Sequence, residues 1–350
     1  MRVLFSRGCG AGLALALLAL CPAACGTLGV PLEEVTESPL ALVYWDGPAA
    51  RARAEVMESL RRGQGPGSRR QGMASLDDVA RLMGSSTTAS EKLSRLPGRI
   101  MLVNVRTLEQ TRFASAPPNA RPLAWSKDRK RLLFSSDHLD SGRTQLFEYN
   151  AERGDVRKLT RGPVLHLEGD YGSDGQLLFN WVELGDGETG AGMDVRQARG
   201  GPIQRVISGF YPSGPRWSPR DDFFLYVDAD PGGAVRDRSA VVIRGFESEE
   251  AGTRLALGRD AVFSPDGDWI VFSSQGSGGW RLHRMRPDGS ARKPLGKSAL
   301  SARWPAVSPD GRHVAYISNE DGFDRLYLRR MDGSGDRILL ADGAVAFPIW

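Results

Sequence analysis

The twelve residues "FSPDGDWIVFSS", beginning at Phe263, return as "VSPDGRHVAYIS", beginning at Val307. Weaker copies stand upstream: "WSKDRKRLLFSS" from Trp125, "YGSDGQLLFNWV" from Tyr171 and "WSPRDDFFLYVD" from Trp217. Successive starts lie 46, 46, 46 and 44 residues apart. A repeat of this length is one supersecondary unit that cannot bury its apolar face alone, so its neighbours must cover it. Within the phrase, Asp266-Gly267 and Asp310-Gly311 are turn dipeptides, because Gly takes positive φ without a steric penalty and Asp bonds its own backbone. An apolar run follows each turn, so each phrase predicts a hairpin whose second strand is buried.

Two further short strands follow each hairpin. "RLYLRR" turns at "MDGSG" into "DRILL" in the last unit, and "WRLHRM" turns at "RPDG" into "ARKPL" in the one before. Four strands per unit of this length is the blade of a β-propeller. The chain ends complement one another. Residues 344–350, "AVAFPIW", match the first strand of a unit, with Trp350 falling 43 residues after Val307. The missing partners are at the other end: "PLALVYWDG" reads as a second strand, "RIMLVNV" and "QTRFA" as a third and fourth. The expectation is an all-β, six-bladed propeller of four-stranded antiparallel blades, closed by pairing the C-terminal strand with N-terminal ones. Such closure hides the edges of an open sheet.

The pattern "WSPDG…IAF…LY…DG…LT" resembles the PD40 or TolB-type repeat over roughly residues 100–350. The resemblance implies the six-bladed ring of the TolB propeller.

The first residues carry Arg2 and Arg7, then an apolar run over 11–20 and small residues before Cys25. This is the layout of a secretory signal, and the run is shorter than the ~20 residues of a membrane span. "PAAC" at 22–25 resembles a bacterial lipobox, which implies lipidation of Cys25. The expected organisation is a signal peptide over 1–24, a linker over 25–38 and the propeller over 39–350. Export to the periplasm or outer membrane follows, with membrane contact through a lipid anchor only. Cys9, Cys21 and Cys25 are the three cysteines, so the exported domain has no disulfide and no thiol chemistry. Without the leader's two arginines, 44 basic residues face 42 acidic ones, a balance that argues against nucleic acid as partner.

Residues 47–98 interrupt the composite blade. "AARARAEVMESLRRG", "SLDDVARLM" and "TASEKLSRL" have helix-forming composition, the latter two with capping residues at Ser75 and Thr88. This helical insert leaves after a second strand, so it is expected over the face that receives the second-strand loops. Those loops are acidic: Asp137 and Asp140, Glu183 and Asp186, Asp228 and Asp230, Glu320 and Asp321. They are the candidate ligand or partner surface. No G-x-S-x-G elbow is present, and the four histidines have no partner at i+4. The reading is a monomeric, non-catalytic exported propeller that binds a protein or cell-envelope ligand at this mouth face, with no cofactor. The alternative is a propeller hydrolase, lactonase or lyase that uses these carboxylates with Ca²⁺, a cation that oxygen ligands suit.

Overall fold

The computed structural model describes residues 29–63, 97–139, 142–183, 190–208, 211–229, 239–276, 279–296, 301–320, 322–340 and 342–350. Among the described residues, twenty-four strands fall into six antiparallel sheets of four. The composite blade opens the chain with β1 (Pro39–Trp45), α1 (Gly47–Gly63), β2 (Arg99–Asn104) and β3 (Gln110–Arg112). Blade one is β4 (Arg121–Trp125), β5 (Arg131–Ser136), β6 (Gln145–Asn150) and β7 (Asp155–Lys158). Blade two is β8 (Gly169–Tyr171), β9 (Leu177–Glu183), β10 (Gly190–Arg196) and β11 (Ile203–Ser208). Blade three is β12 (Tyr211–Trp217), β13 (Phe223–Ala229), β14 (Ala240–Gly245) and β15 (Thr253–Leu257). Blade four is β16 (Arg259–Phe263), β17 (Ile270–Gly276), β18 (Gly279–Met285) and β19 (Lys293–Pro294). Blade five is β20 (Arg303–Val307), β21 (His313–Ser318), β22 (Arg325–Arg330) and β23 (Arg337–Leu340). The last strand, β24 (Ala344–Ile349), returns to the first sheet, whose order is β24-β1-β2-β3. Its register pairs Trp45 with Ala344 and Val43 with Ala346, which closes the ring as the complementary chain ends predict.

The blades pack face to face. Leu123, Leu133 and Leu146 of blade one meet Tyr171, Leu177 and Phe179 of blade two in one cluster. Leu225 and Val241 of blade three meet Ala261, Ile270 and Phe272 of blade four in another. Side chains alternate along a strand, so each blade buries apolar residues on both faces, one set against each neighbour. Arginines from third strands reinforce these seams at neighbouring carbonyls. Arg196 donates to Leu159 O at 2.7 Å and Arg284 to Met331 O at 2.7 Å, while Arg244 reaches Val206 O and Arg329 reaches Leu295 O.

The inner strands bend. Register slips between Ser213 and Arg216, Arg259 and Val262, and Arg303 and Ala306 mark bulges in β12, β16 and β20. At the equivalent position four blades hold a residue at positive φ: Gly214 at +60°, Asp260 at +56°, Trp304 at +50° and Phe347 at +52°. A bulge increases local twist and re-aims the residues around it.

Residues 29–38, read from the sequence as linker, are packed. Val30 and Val35 are buried in the seam between blade five and the composite blade. Arg337 donates to Val30 O at 3.2 Å, and Glu34 pairs with Arg330 at 2.9 Å. Alternate apolar residues in a short segment suffice to seat it once a seam is open. The helix α1 begins where Asp46 accepts from Ala49 N–H, an N-cap. The expected helices downstream of Gly63 lie outside the described residues.

Candidate functional site

The repeated phrase builds one end of the central channel. In blade five the Ser308 hydroxyl donates to Asp310 Oδ1 at 2.5 Å and accepts from His313 N–H at 2.9 Å. Asp310 also accepts from Arg312 N–H at 3.0 Å, and Gly311, at φ +71°, donates to Ser308 O at 2.8 Å. Ser264, Asp266 and Gly267 repeat these bonds in blade four. The proline serves the next blade. A β-carbon on Gly267 would touch Pro219 Cδ at 3.5 Å, and one on Gly311 would touch Pro265 Cδ at 3.8 Å, so each turn glycine sits on the preceding blade's proline. Blade two lacks the serine, having Gly172 in its place. There Asp221, from blade three, accepts from Ser173 N–H at 2.8 Å and from the Ser173 hydroxyl. A hydrogen bond from Ser126 holds the Asp128 carboxyl below its ordinary range.

These turns surround a cavity of about 440 Å³ whose wall takes residues from all six blades. Trp125, Lys127 and Arg129 come from blade one; Asp170 and Ser173 from blade two; Arg216, Trp217 and Asp221 from blade three. Blades four and five and the composite blade add mainly apolar groups: Val262, Pro265, Val307, Pro309, Ile349 and Trp350. The funnel is therefore polar on one half and apolar on the other. Lys127 Nζ lies 3.4 Å from Pro219 O, reaching past blade two to blade three. Arg129 stacks over Trp125 at 5.0 Å and donates to Pro39 O at 2.6 Å; burial lowers its guanidinium to about 10. Asp170 Oδ1 accepts from Tyr171 N–H at 3.0 Å and Oδ2 from Trp217 N–H at 2.9 Å. Burial pushes the Asp170 carboxyl up to about 6, against the pull of Arg216 and these two donors. Its surface is only half-buried because it looks into the funnel, so the loss of hydration is incomplete.

The other end of the channel is bridged. Gly214 N–H donates to Glu168 at 2.5 Å, and Glu168 pairs with Arg121 at 3.0 Å. The Arg121 guanidinium lies 4.0 Å over the Phe347 ring, which meets the Trp304 ring at 4.4 Å. Trp304 N–H points to Asp260 at 3.4 Å. This chain of contacts takes one residue from the inner side of every blade. Ala50 of α1 joins Val43, Trp45, Ala344 and Ala346 in a cluster against which Ala49, Trp304 and Phe347 also pack, so the start of the insert seats at this end.

The described acidic residues Asp137, Glu183, Asp228 and Glu320 stand at the ends of second strands, at that end too, and none of these four lines the cavity. Asp137 is half-buried and accepts a long bond from Gly142 N–H at 3.5 Å. Asp228 is held by Arg254 at 2.5 Å, with its side chain 12% exposed. Glu183 and Glu320 are exposed on separate blades. Asp140, Asp186, Asp230, Asp321 and Cys25 lie outside the described residues. Among the described residues no three His, Cys, Asp or Glu side chains gather as a metal site. The histidines are dispersed and packed. His166 donates to Asn180 O and His283 to Arg281 O, and His138 rests on Phe147; burial lowers all three and His313. Among the described residues no helix is long and apolar enough to cross a membrane.

No family model matches this chain. Part of it is 26% identical over 233 residues to the uncharacterized protein Atu1656 of Agrobacterium fabrum, covering 63% of this chain and 74% of that one. A shorter stretch is 29% identical over 154 residues to the uncharacterized peptidase YuxL of Bacillus subtilis, and there the match spans 43% of this chain but 21% of the relative's length. Among solved structures, TolB from Acinetobacter baumannii superposes with a TM-score of 0.62 at 16% identity, over 89% of this chain and 66% of that one. The TolB from Agrobacterium tumefaciens superposes with a TM-score of 0.58 at 22% identity, over 70% and 88%. An oligogalacturonate lyase in complex with manganese superposes with a TM-score of 0.50 at 13% identity, over 69% and 70%. At these identities the likeness is one of architecture, and the architecture is the six-bladed propeller of the TolB kind.

Proposed function

We propose that the chain is an exported, non-catalytic propeller, tethered by a lipid at Cys25, that binds a protein partner in the funnel at its turn end. The cavity itself carries this reading. It is concave, lined by aliphatic, proline and aromatic side chains on one half and by a few placed polar groups beside Trp125 and Trp217 on the other, which is the composition of a binding site. Its one carboxylate of raised pKa, Asp170, has both oxygens engaged by backbone N–H groups, which makes it an acceptor within the wall and not a proton shuttle. The leader and "PAAC" support export and the tether. The solved TolB propellers support a binding role, and the lyase on the same ring supports the enzymatic alternative. That alternative places Ca²⁺ on the acidic loops.

Photo-crosslinking residues at Lys127 and Pro309, compared with Ile203 on an outer strand, test the proposal in cells. Discrete adducts of one size from the two funnel positions and none from position 203 are expected. Adducts equally frequent from position 203, or a saturable Ca²⁺ titration that requires Asp137 and Glu183, would move the site away from the funnel.

A further inference from the structure

The packed residues 29–38 fix where a tether leaves the ring. Gly29 lies beside the backbone carbonyl of Asp336, next to the turn between β22 and β23. Arg337 holds Val30 O, and Glu34 pairs with Arg330 across the same turn. The strap then crosses to the funnel, where Trp350 Nε1 donates to Ser38 O at 3.0 Å and Arg129 to Pro39 O. In an antiparallel blade the turn from third to fourth strand lies on the same face as the turn from first to second. The strap thus runs along the face that holds the Ser-Pro-Asp-Gly turns and the open funnel. Cys25 is four residues before Gly29. Four residues reach at most ~14 Å when fully extended.

We infer that the funnel face is the bilayer-facing surface of the tethered protein. An acylated Cys25 rests in the lipid surface, and so short a leash brings the blade-five corner of the turn face to the membrane. The face bearing α1 and the acidic loops points away. The funnel's partner is then one presented at the same membrane surface, and a partner arriving from bulk solution must enter through the gap between ring and lipid. This rests on the Cys25 tether proposed above, and the test separates the two.

The lipidated full-length protein is reconstituted into phosphatidylcholine vesicles that carry an acceptor dye on the headgroup. A donor fluorophore is placed by a bio-orthogonal residue at Ser334 or Asp174, both exposed on the turn face, or at Leu139, exposed on the other. Loss of donor emission at both Ser334 and Asp174, exceeding that at Leu139, is the expected result. Equal loss at all three, greater loss at Leu139, or loss at Ser334 alone, which would mean an edge-on ring, overturns the orientation. A mature protein that carries no added mass at Cys25 and stays out of the detergent phase overturns the tether and the orientation together.

Discussion

Replacing Asp170 by Asn tests whether a buried charge in the funnel wall costs stability. The folded carboxyl stands at about 6 against its ordinary 3.8, raised first by burial. A folded value above the unfolded one means that the contribution to stability is complete below about pH 3.8 and is lost as pH rises through about 6. A shift of about two units corresponds to ~3 kcal/mol. The carboxylate keeps partial contact with solvent through the funnel, so roughly half of that, ~1.5 kcal/mol, is the realistic loss. Asn is isosteric and uncharged, and its amide oxygen can accept from only one of the Tyr171 and Trp217 N–H groups as its NH₂ faces the other. That mismatch costs ~1 kcal/mol at every pH. The variant should therefore be less stable than the parent by ~1 kcal/mol well below pH 3.8 and slightly more stable, by ~0.5 kcal/mol, at pH 7.5. Urea unfolding at the two pH values, with equal m-values, measures the difference of differences. Parallel pH profiles for the two proteins would refute the reasoning.

Three further outcomes follow from the same structure. Deleting residues 344–350 removes β24, leaves β1 paired with β2 alone and open along its inner edge, and uncovers the seam of blade five; aggregation or loss of a cooperative melt is expected, and a truncated chain that melts like the parent would deny the shared blade. Gly311→Ala, at φ +71° with its β-carbon 3.8 Å from Pro265, meets strain without a clash. It should cost ~1–2 kcal/mol, with Gly311→Asn milder, and a neutral alanine by calorimetry contradicts this. Arg329→Met removes a buried guanidinium that bonds Asp336 and Leu295 O, with the Tyr316 hydroxyl also on Asp336 at 2.6 Å. Because Asp336 is partly exposed, the cost should fall at ~2–4 kcal/mol by denaturant midpoint, and a loss under ~1 kcal/mol would show the seam to be held by apolar packing alone.

The ring was legible because its signals are local. Every bond in the Ser308 turn joins residues at most five apart, so serine, aspartate and glycine must recur as a phrase. The funnel was not legible, since its wall gathers single residues from strands about 46 positions apart. A signal does exist. At the position before each phrase the chain reads Ala124, Asp170, Arg216, Val262, Ala306 and Ile349, and the two charges stand out against four apolar residues. The acidic loops read differently in sequence and in structure because a sequence shows charge without its partner: Asp228 is matched by Arg254, 26 residues away. Nor does sequence announce positive φ at Trp304 and Phe347, whose bulky side chains seldom adopt it.

A closed ring has no terminal edge, but it has six inner ones, and each faces the channel with unpaired donors. Four inner strands carry proline, at Pro122, Pro212 and Pro215, Pro305, and Pro348, and a proline offers no N–H to an intruding strand. The two without proline are β8 and β16, and these hold Asp170 and Asp260. Each aspartate turns to the next blade and accepts from its inner strand, Asp170 from Trp217 N–H and Asp260 from Trp304 N–H. The half-buried carboxylates therefore fasten neighbouring inner strands to one another. Burial raises both, as it must when a charge is drawn from water to satisfy backbone donors. A binding defect in an Asp170 variant thus has two possible origins, a lost contact or a loosened wall. Asp260→Asn helps separate them: it loosens a junction of the same kind at the other end of the channel, outside the cavity wall, so a defect shared by both variants belongs to the ring, and one confined to Asp170 belongs to the funnel end.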